Sequence, residues 1–176
     1  MFIFTNFLDE ETCLKYKKRI EYFYTQNESN YGADLASKFD SNLRTLDITT
    51  DPIGFQVKKF LELQLRFKLQ FYQVQLQAWP ISETPSKLHS HTEKFRAQGD
   101  YNSLIYLNDD FEGGEFYTEY GLSLKPKTGT LTFFDGKNVM HGVKSISLKN
   151  RYTIIIWWKD TMLDPENIRL DNKLYS

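Results

Sequence analysis

A mainly β fold, a jelly roll of two packed sheets supported by N-terminal helices, is what this sequence predicts, and three observations predict it. From residue 68 onward the apolar pattern changes from helical spacing to a period of two, which favours strands. Short strand-like stretches then succeed one another at about 88–93, 101–107, 114–118, 121–124, 130–134, 142–147 and 151–158. Turn chemistry at Asp109 to Gly113, Pro126 to Gly129 and Asp135 to Asn138 separates several of them, with no helical stretch between. Many short strands without intervening helices close into a sandwich or barrel.

Two helices precede the strands. Residues 9 to about 26 carry Cys13, Tyr16, Ile20, Phe23 and Tyr24 at helical spacing, with Lys15, Lys17, Lys18 and Arg19 left to solvent. Asp9 stands as N-cap before the acidic turn Glu10-Glu11, where a carboxylate satisfies free backbone N–H groups. Asn27 to Asn30 and Gly32 read as a loop. Asp51-Pro52 opens a second helix to about residue 66, since proline suits the first helical position.

The first strand of the new period places Phe67, Leu69, Phe71, Gln73, Gln75 and Gln77 on one face. Lys68, Gln70, Tyr72, Val74, Leu76 and Ala78 take the other. The glutamines read as a solvated face, with a pocket wall as the alternative. Trp79-Pro80 through Pro85-Ser86 forms a loop. The run Ile154-Ile155-Ile156-Trp157-Trp158 reads as a core strand with room for one exposed tryptophan.

Length and composition bound the rest. The chain has 176 residues, 40% hydrophobic and 16% aromatic, enough for one buried core. We expect a single domain spanning 1–176, with helical support at about 9–66, a jelly-roll core at about 68–158 and a tail at 159–176. A net charge of −1 from 22 basic and 23 acidic residues gives no pull toward nucleic acid or an anionic membrane. Met1-Phe2-Ile3-Phe4 lacks a basic lead and no run approaches a membrane span, so a soluble, cytoplasmic protein is expected. The single cysteine, Cys13, excludes an intramolecular disulfide and agrees with a reducing compartment.

All three histidines fall in one pattern: His89-Ser90-His91-Thr92-Glu93, then His141, with Arg151 ten residues further on. Side chains at i and i+2 of a strand share a face, so His91 and Glu93 can reach one metal, and His89 shares that face. Two imidazoles and one carboxylate leave open positions on a non-heme Fe(II) ion. A closed structural zinc site would call for thiolates that this chain does not have. Any one histidine alone is more often a packed or surface residue than a ligand.

The segment Asp100-Tyr101-Asn102-Ser103-Leu104-Ile105-Tyr106-Leu107-Asn108-Asp109-Asp110-Phe111-Glu112-Gly113-Gly114-Glu115-Phe116 is followed by Leu124-Lys125-Pro126-Lys127-Thr128-Gly129-Thr130-Leu131-Thr132-Phe133-Phe134. His141-Gly142-Val143 and Arg151 come next. Together these resemble the Fe(II)- and 2-oxoglutarate-dependent dioxygenases of the prolyl-hydroxylase type, notably the prolyl 4-hydroxylases, from roughly Gln73 to Trp158. Phe4 to Cys13 looks like the opening strand and helix start of that family.

The resemblance implies a cupin-like double-stranded β-helix with the metal near its open end. It implies His91, Glu93 and His141 as metal ligands, and Arg151 as anchor for the distal carboxylate of 2-oxoglutarate. Tyr106 would hydrogen-bond that cosubstrate, the bland reading being an aromatic core residue; Thr153, two positions after Arg151, would help hold it. The cofactor set is then Fe(II), 2-oxoglutarate and O2, with ascorbate as reductant. A prolyl residue of a peptide or protein is the implied substrate, with a small molecule as alternative, and succinate and CO2 are released.

The family carboxylate is usually aspartate, and Glu93 is one methylene longer. If His89 is the first ligand instead, His91 takes the carboxylate position and the site is a three-histidine one. Two other readings stay open: a jelly-roll binding or structural domain without turnover, and a three-histidine oxygenase that uses no oxo acid.

Overall fold

The computed structural model describes residues 1–26, 43–91 and 100–160. Its elements in chain order are β1 (Phe2–Phe4), α1 (Glu10–Gln26), β2 (Arg44–Asp47), α2 (Pro52–Leu65), β3 (Leu69–Trp79) and β4 (Tyr101–Tyr106). They continue with β5 (Glu112–Gly113), β6 (Phe116–Thr118), β7 (Ser123–Leu124), β8 (Leu131–Asp135), β9 (His141–Val143), β10 (Ile146–Ser147) and β11 (Arg151–Asp160). The expected mainly β class with N-terminal helices is what the molecule adopts. The loop expected at Asn27 to Asn30 and Gly32 lies outside the described residues, as does most of the expected tail.

Both helices start where their caps place them. Asp9 accepts the Thr12 N–H at 2.7 Å on Oδ1 and the Thr12 hydroxyl at 3.0 Å on Oδ2. Asp51 caps α2 by accepting from Ile53 N, with Pro52 in the first turn. The same carboxylate takes the Tyr16 hydroxyl at 2.7 Å and Arg19 Nη1 at 2.6 Å, both from α1. One side chain therefore starts α2 and ties it to α1. Asp51→Ala should cost about 1–3 kcal/mol, the sum of a lost cap and orphaned partners, read as a lower denaturant midpoint at unchanged slope.

Six antiparallel strands form the main sheet in the order β1-β8-β4-β11-β3-β2. Helix residues Cys13, Ile20, Val57 and Leu61 pack with Leu76, Ile105, Leu131, Ile154 and Trp158 into one apolar cluster. The helices thus cover one face of the sheet. On the other face a second layer consists of β7-β6-β9 and β10-β5. Side chains of both layers meet there, as Leu104, Tyr106, Phe134, Ile155 and Trp157 of the main sheet pack with Phe116 of β6.

Several expectations need correcting. The strict alternation along β3 fails because its register against β11 shifts between Trp157, opposite Gln73, and Trp158, opposite Phe71. Tyr72 is the extra residue of a β-bulge, and the faces exchange across it. Leu69 therefore joins Val74, Leu76 and Ala78 on the helix side, with Phe71 packed against the same cluster. Gln75 and Gln77, read as solvated, are buried, facing the second layer. Trp157 and Trp158 are both buried, on opposite faces. Strand β2 pairs with β3 inside the stretch expected to be helical support.

The expected strand at 88–93 is, among the described residues, no regular strand. Residues 82–91 instead run antiparallel along the second layer through isolated contacts: Ser82 with Ile146, Ser86 with Val143, His89 with His141, and His91 N to Gly136 O. The Ser86 hydroxyl also joins the ladder as an acceptor, with Val143 N–H donating to Ser86 Oγ at 2.8 Å.

Gly129 closes the expected Pro126 turn at φ 79°, and a Cβ there would lie 2.1 Å from Leu8 O. Its N–H bonds Tyr106 O, and its carbonyl accepts from Phe7 and Leu8 N. Gly129→Ala should destabilise by at least about 1–3 kcal/mol from backbone strain alone, and thermal unfolding measures it.

Candidate metal centre

The bridge between His89 and His141 is a mutual pair, with His89 N to His141 O at 3.0 Å and the reverse bond at 2.9 Å. It sets those two rings 4.7 Å apart, and the i+2 step brings His91 to 5.5 Å from His89 and 4.9 Å from His141. One nitrogen from each histidine falls within 4.8 Å of the others. All three histidines thus converge from two segments far apart in sequence. Glu93 lies outside the described residues.

Each ring has its Nδ1 engaged. His141 Nδ1 stands 2.8 Å from Val139 O, His89 Nδ1 3.1 Å from Lys87 O, and His91 Nδ1 2.7 Å from Asn102 Oδ1. A carbonyl oxygen can only accept, so these contacts place the proton on Nδ1 and the lone pair on Nε2, the tautomer that leaves Nε2 able to bind a metal. His141 is also held by packing, stacked on Phe116 at 5.5 Å and edge-on to Phe134 at 5.0 Å.

Burial favours the neutral form of the His91 and His141 rings. It lowers His91 to about 4, aided by the neighbouring charge of His89 and opposed by the Asn102 hydrogen bond. It lowers His141 to about 3, with His89 again contributing and the Val139 carbonyl opposing. A folded-state value below the unfolded one, near ~6.5, means that unfolding takes up protons, so stability rises with pH across that window. The metal-free protein should keep this contribution in full above about pH 6.5 and lose it progressively toward pH 4. Equal denaturant midpoints on both sides of that window would rule out buried neutral rings.

The expected cosubstrate residues lie on the inner face of the main sheet. Thr153 pairs with Tyr106 and with Gln77 across β11, and Arg151 pairs with Trp79. Arg151 is 1% exposed. Its guanidinium carbon sits 4.9 Å from the Tyr106 ring centre and 6.0 Å from that of Trp79. Among the described residues, Arg151 Nε and Nη2, Tyr106 Oη and Thr153 Oγ1 are buried without hydrogen-bond partners. Burial pushes the Tyr106 phenol up, against the Arg151 cation beside it, so it stays a neutral donor. A buried cation with unpartnered donors around it fits a carboxylate ligand. The neutral imidazoles likewise fit Fe(II).

Tyr101 and Tyr106 take opposite faces: Tyr101 stacks on Phe133 at 5.2 Å on the helix side. Sequence reasoning missed Asn102, Phe116, Phe134 and Trp79. For Asn102 a signal existed, because asparagine is disfavoured inside an apolar strand.

Fold and histidine cluster together define a double-stranded β-helix of the kind found in Fe(II)- and 2-oxoglutarate-dependent oxygenases. Similarities to known proteins fall on prolyl hydroxylases. Rat prolyl 3-hydroxylase 2 is 42% identical over 73 residues, 38% of this chain and 10% of that protein. The chain therefore matches about a tenth of the length of that curated relative. A viral collagen prolyl hydroxylase from Paramecium Bursaria Chlorella virus-1, solved as a 2-oxoglutarate complex, has a TM-score of 0.68 at 18% identity, covering 89% of this chain and 94% of that one. A prolyl hydroxylase from Trichoplax adhaerens, in complex with a hypoxia inducible factor peptide fragment, has a TM-score of 0.66 at 19% identity, covering 92% and 84%. No family model matches the chain. It is prolyl-hydroxylase-like in sequence over part of its length and in fold over most of it.

Proposed function

We propose that this chain is an Fe(II)- and 2-oxoglutarate-dependent dioxygenase that hydroxylates a prolyl residue of a peptide or protein. One observation carries the reading: three histidines converge on one point, while a buried guanidinium whose donors are unpartnered among the described residues lines the space between the same two sheets. Neither feature stabilises an empty jelly roll, since orphaned buried donors carry a desolvation cost. The prolyl substrate rests on the names of the relatives and on the peptide held by the Trichoplax neighbour.

In this reading His91 and His141 hold the metal through Nε2, with Glu93 as third ligand. Bound Fe(II) supplies the activation of O2, and overall R–H, O2 and 2-oxoglutarate become R–OH, succinate and CO2. Arg151 grips the distal carboxylate of the cosubstrate with its planar fork. Tyr106 and Thr153 donate to the same cosubstrate, and Trp79 and Tyr106 wall the guanidinium off from water.

A second reading has one observation in its favour, the place of His89 within the histidine cluster. A three-histidine oxygenase would then leave Arg151 without a ligand to serve. Titrating the Fe(II)-loaded protein with 2-oxoglutarate under anaerobic conditions tests both. The proposal expects the weak visible charge-transfer band of a chelated 2-oxo acid, then succinate when oxygen is admitted. No band and no succinate would favour a domain without this turnover. Hydroxyproline analysis of a proline-containing peptide separates 3- from 4-hydroxylation.

A further inference from the structure

We propose that Asn102, seated by Gly136, is a positioning residue that fixes His91 in the tautomer able to bind metal. The inference takes His91 as a ligand, an assignment common to both ligand sets above. Asn102 sits in the interior of β4 and is fully buried. Its Oδ1 lies 2.7 Å from His91 Nδ1, whereas its Nδ2 is buried without a partner among the described residues. Turning the carboxamide over would face an N–H donor toward Nδ1, forcing that nitrogen to accept and moving the ring proton to Nε2. The orientation of one amide therefore decides which nitrogen of His91 carries the lone pair.

Gly136 holds the space for this contact. A Cβ at that position would lie 1.7 Å from Asn102 Oδ1 and 3.0 Å from His91 Nδ1. Its carbonyl meanwhile accepts the His91 backbone N–H at 2.8 Å. The turn after β8 thus grips the backbone of His91 and leaves room for the amide that grips its ring. His141 and His89 take backbone carbonyls for the same purpose. His91 depends on a side chain, so a point mutation can remove its support selectively.

The test uses the full chain and two readouts, neither of them turnover. In the metal-free, 15N-histidine-labelled protein, long-range proton–nitrogen correlation reports each ring's tautomer. His91 should carry its proton on Nδ1 in the parent and in Asn102→Asp, which keeps an acceptor. Near-isosteric Asn102→Leu should shift it to a mixture or to Nε2. Equilibrium Co(II) binding should weaken about 10–100-fold in Asn102→Leu, the usual effect of removing such a partner. It should return to parental affinity in Asn102→Asp. Gly136→Ala, which displaces the amide without altering it, should mimic Asn102→Leu.

An unchanged tautomer and unchanged Co(II) affinity in folded Asn102→Leu would overturn the proposal. If Asn102→Leu does not fold, Asn102→Asp decides alone: loss of the Nδ1 proton or weaker Co(II) binding refutes the role. His91→Ala separates this failure from failure of the functional reading. Undiminished Co(II) affinity there removes His91 from the ligand set, while loss there beside an unaffected Asn102→Leu removes only the positioning role.

Discussion

Arg151→Gln is expected to lower the apparent affinity for 2-oxoglutarate by well over tenfold while leaving Fe(II) affinity nearly unchanged. The side chain is 1% exposed at the start of β11, with Nε and Nη2 unpartnered among the described residues. Losing a charge-assisted pair in such a desolvated place costs on the order of 2–5 kcal/mol of binding. Each 1.4 kcal/mol is about tenfold in affinity. Arg151→Lys should recover only part of the loss, since an ammonium restores charge but not the planar fork. The other cations near this strand are poor substitutes: Lys144 and Lys149 are exposed, and Lys149 Nζ bonds Asp110 at 2.8 Å. Arg151 does not belong to the histidine cluster proposed to hold iron. Both dissociation constants, measured on the same variant, separate the two roles, and an unchanged 2-oxoglutarate constant places the anchor elsewhere.

What could be read before folding was local. The caps Asp9 and Asp51, the helical spacing of Cys13 and Ile20, and the change of period near Lys68 are all written within a few residues, and each element formed there. The bulge at Tyr72 was not legible, because an extra strand residue is defined only by its partner across the sheet. Strand β2 was missed for the same reason, having four residues and a partner in β3. Histidine spacing singled out the three side chains that converge, and the step of ten residues singled out the buried Arg151. The Asn102–His91 hydrogen bond and the Phe116 and Phe134 walls join residues from separate strands and turns, where no local pattern announces them.

His91→Ala and His141→Ala are each expected to abolish Fe(II)-dependent decarboxylation of 2-oxoglutarate, because each removes one of two ligands shared by both candidate sets. The third ligand is decided by the next pair of variants. With Glu93 as the carboxylate, Glu93→Ala is inactive and His89→Ala retains much of the activity. His89 shares the strand-like face and the cluster, yet its ring would then serve only to line the site. With His89 as ligand the outcomes exchange. The carboxylate also sets the charge of the site, since an ionised ligand offsets one of the two positive charges of Fe(II) and imidazole offsets none. Glu93→Ala should therefore weaken Fe(II) more than His89→Ala does. Activity and Fe(II) affinity, measured on all four variants, must agree on the same third residue. An inactive His89→Ala beside an active Glu93→Ala would overturn the carboxylate assignment and leave a three-histidine centre.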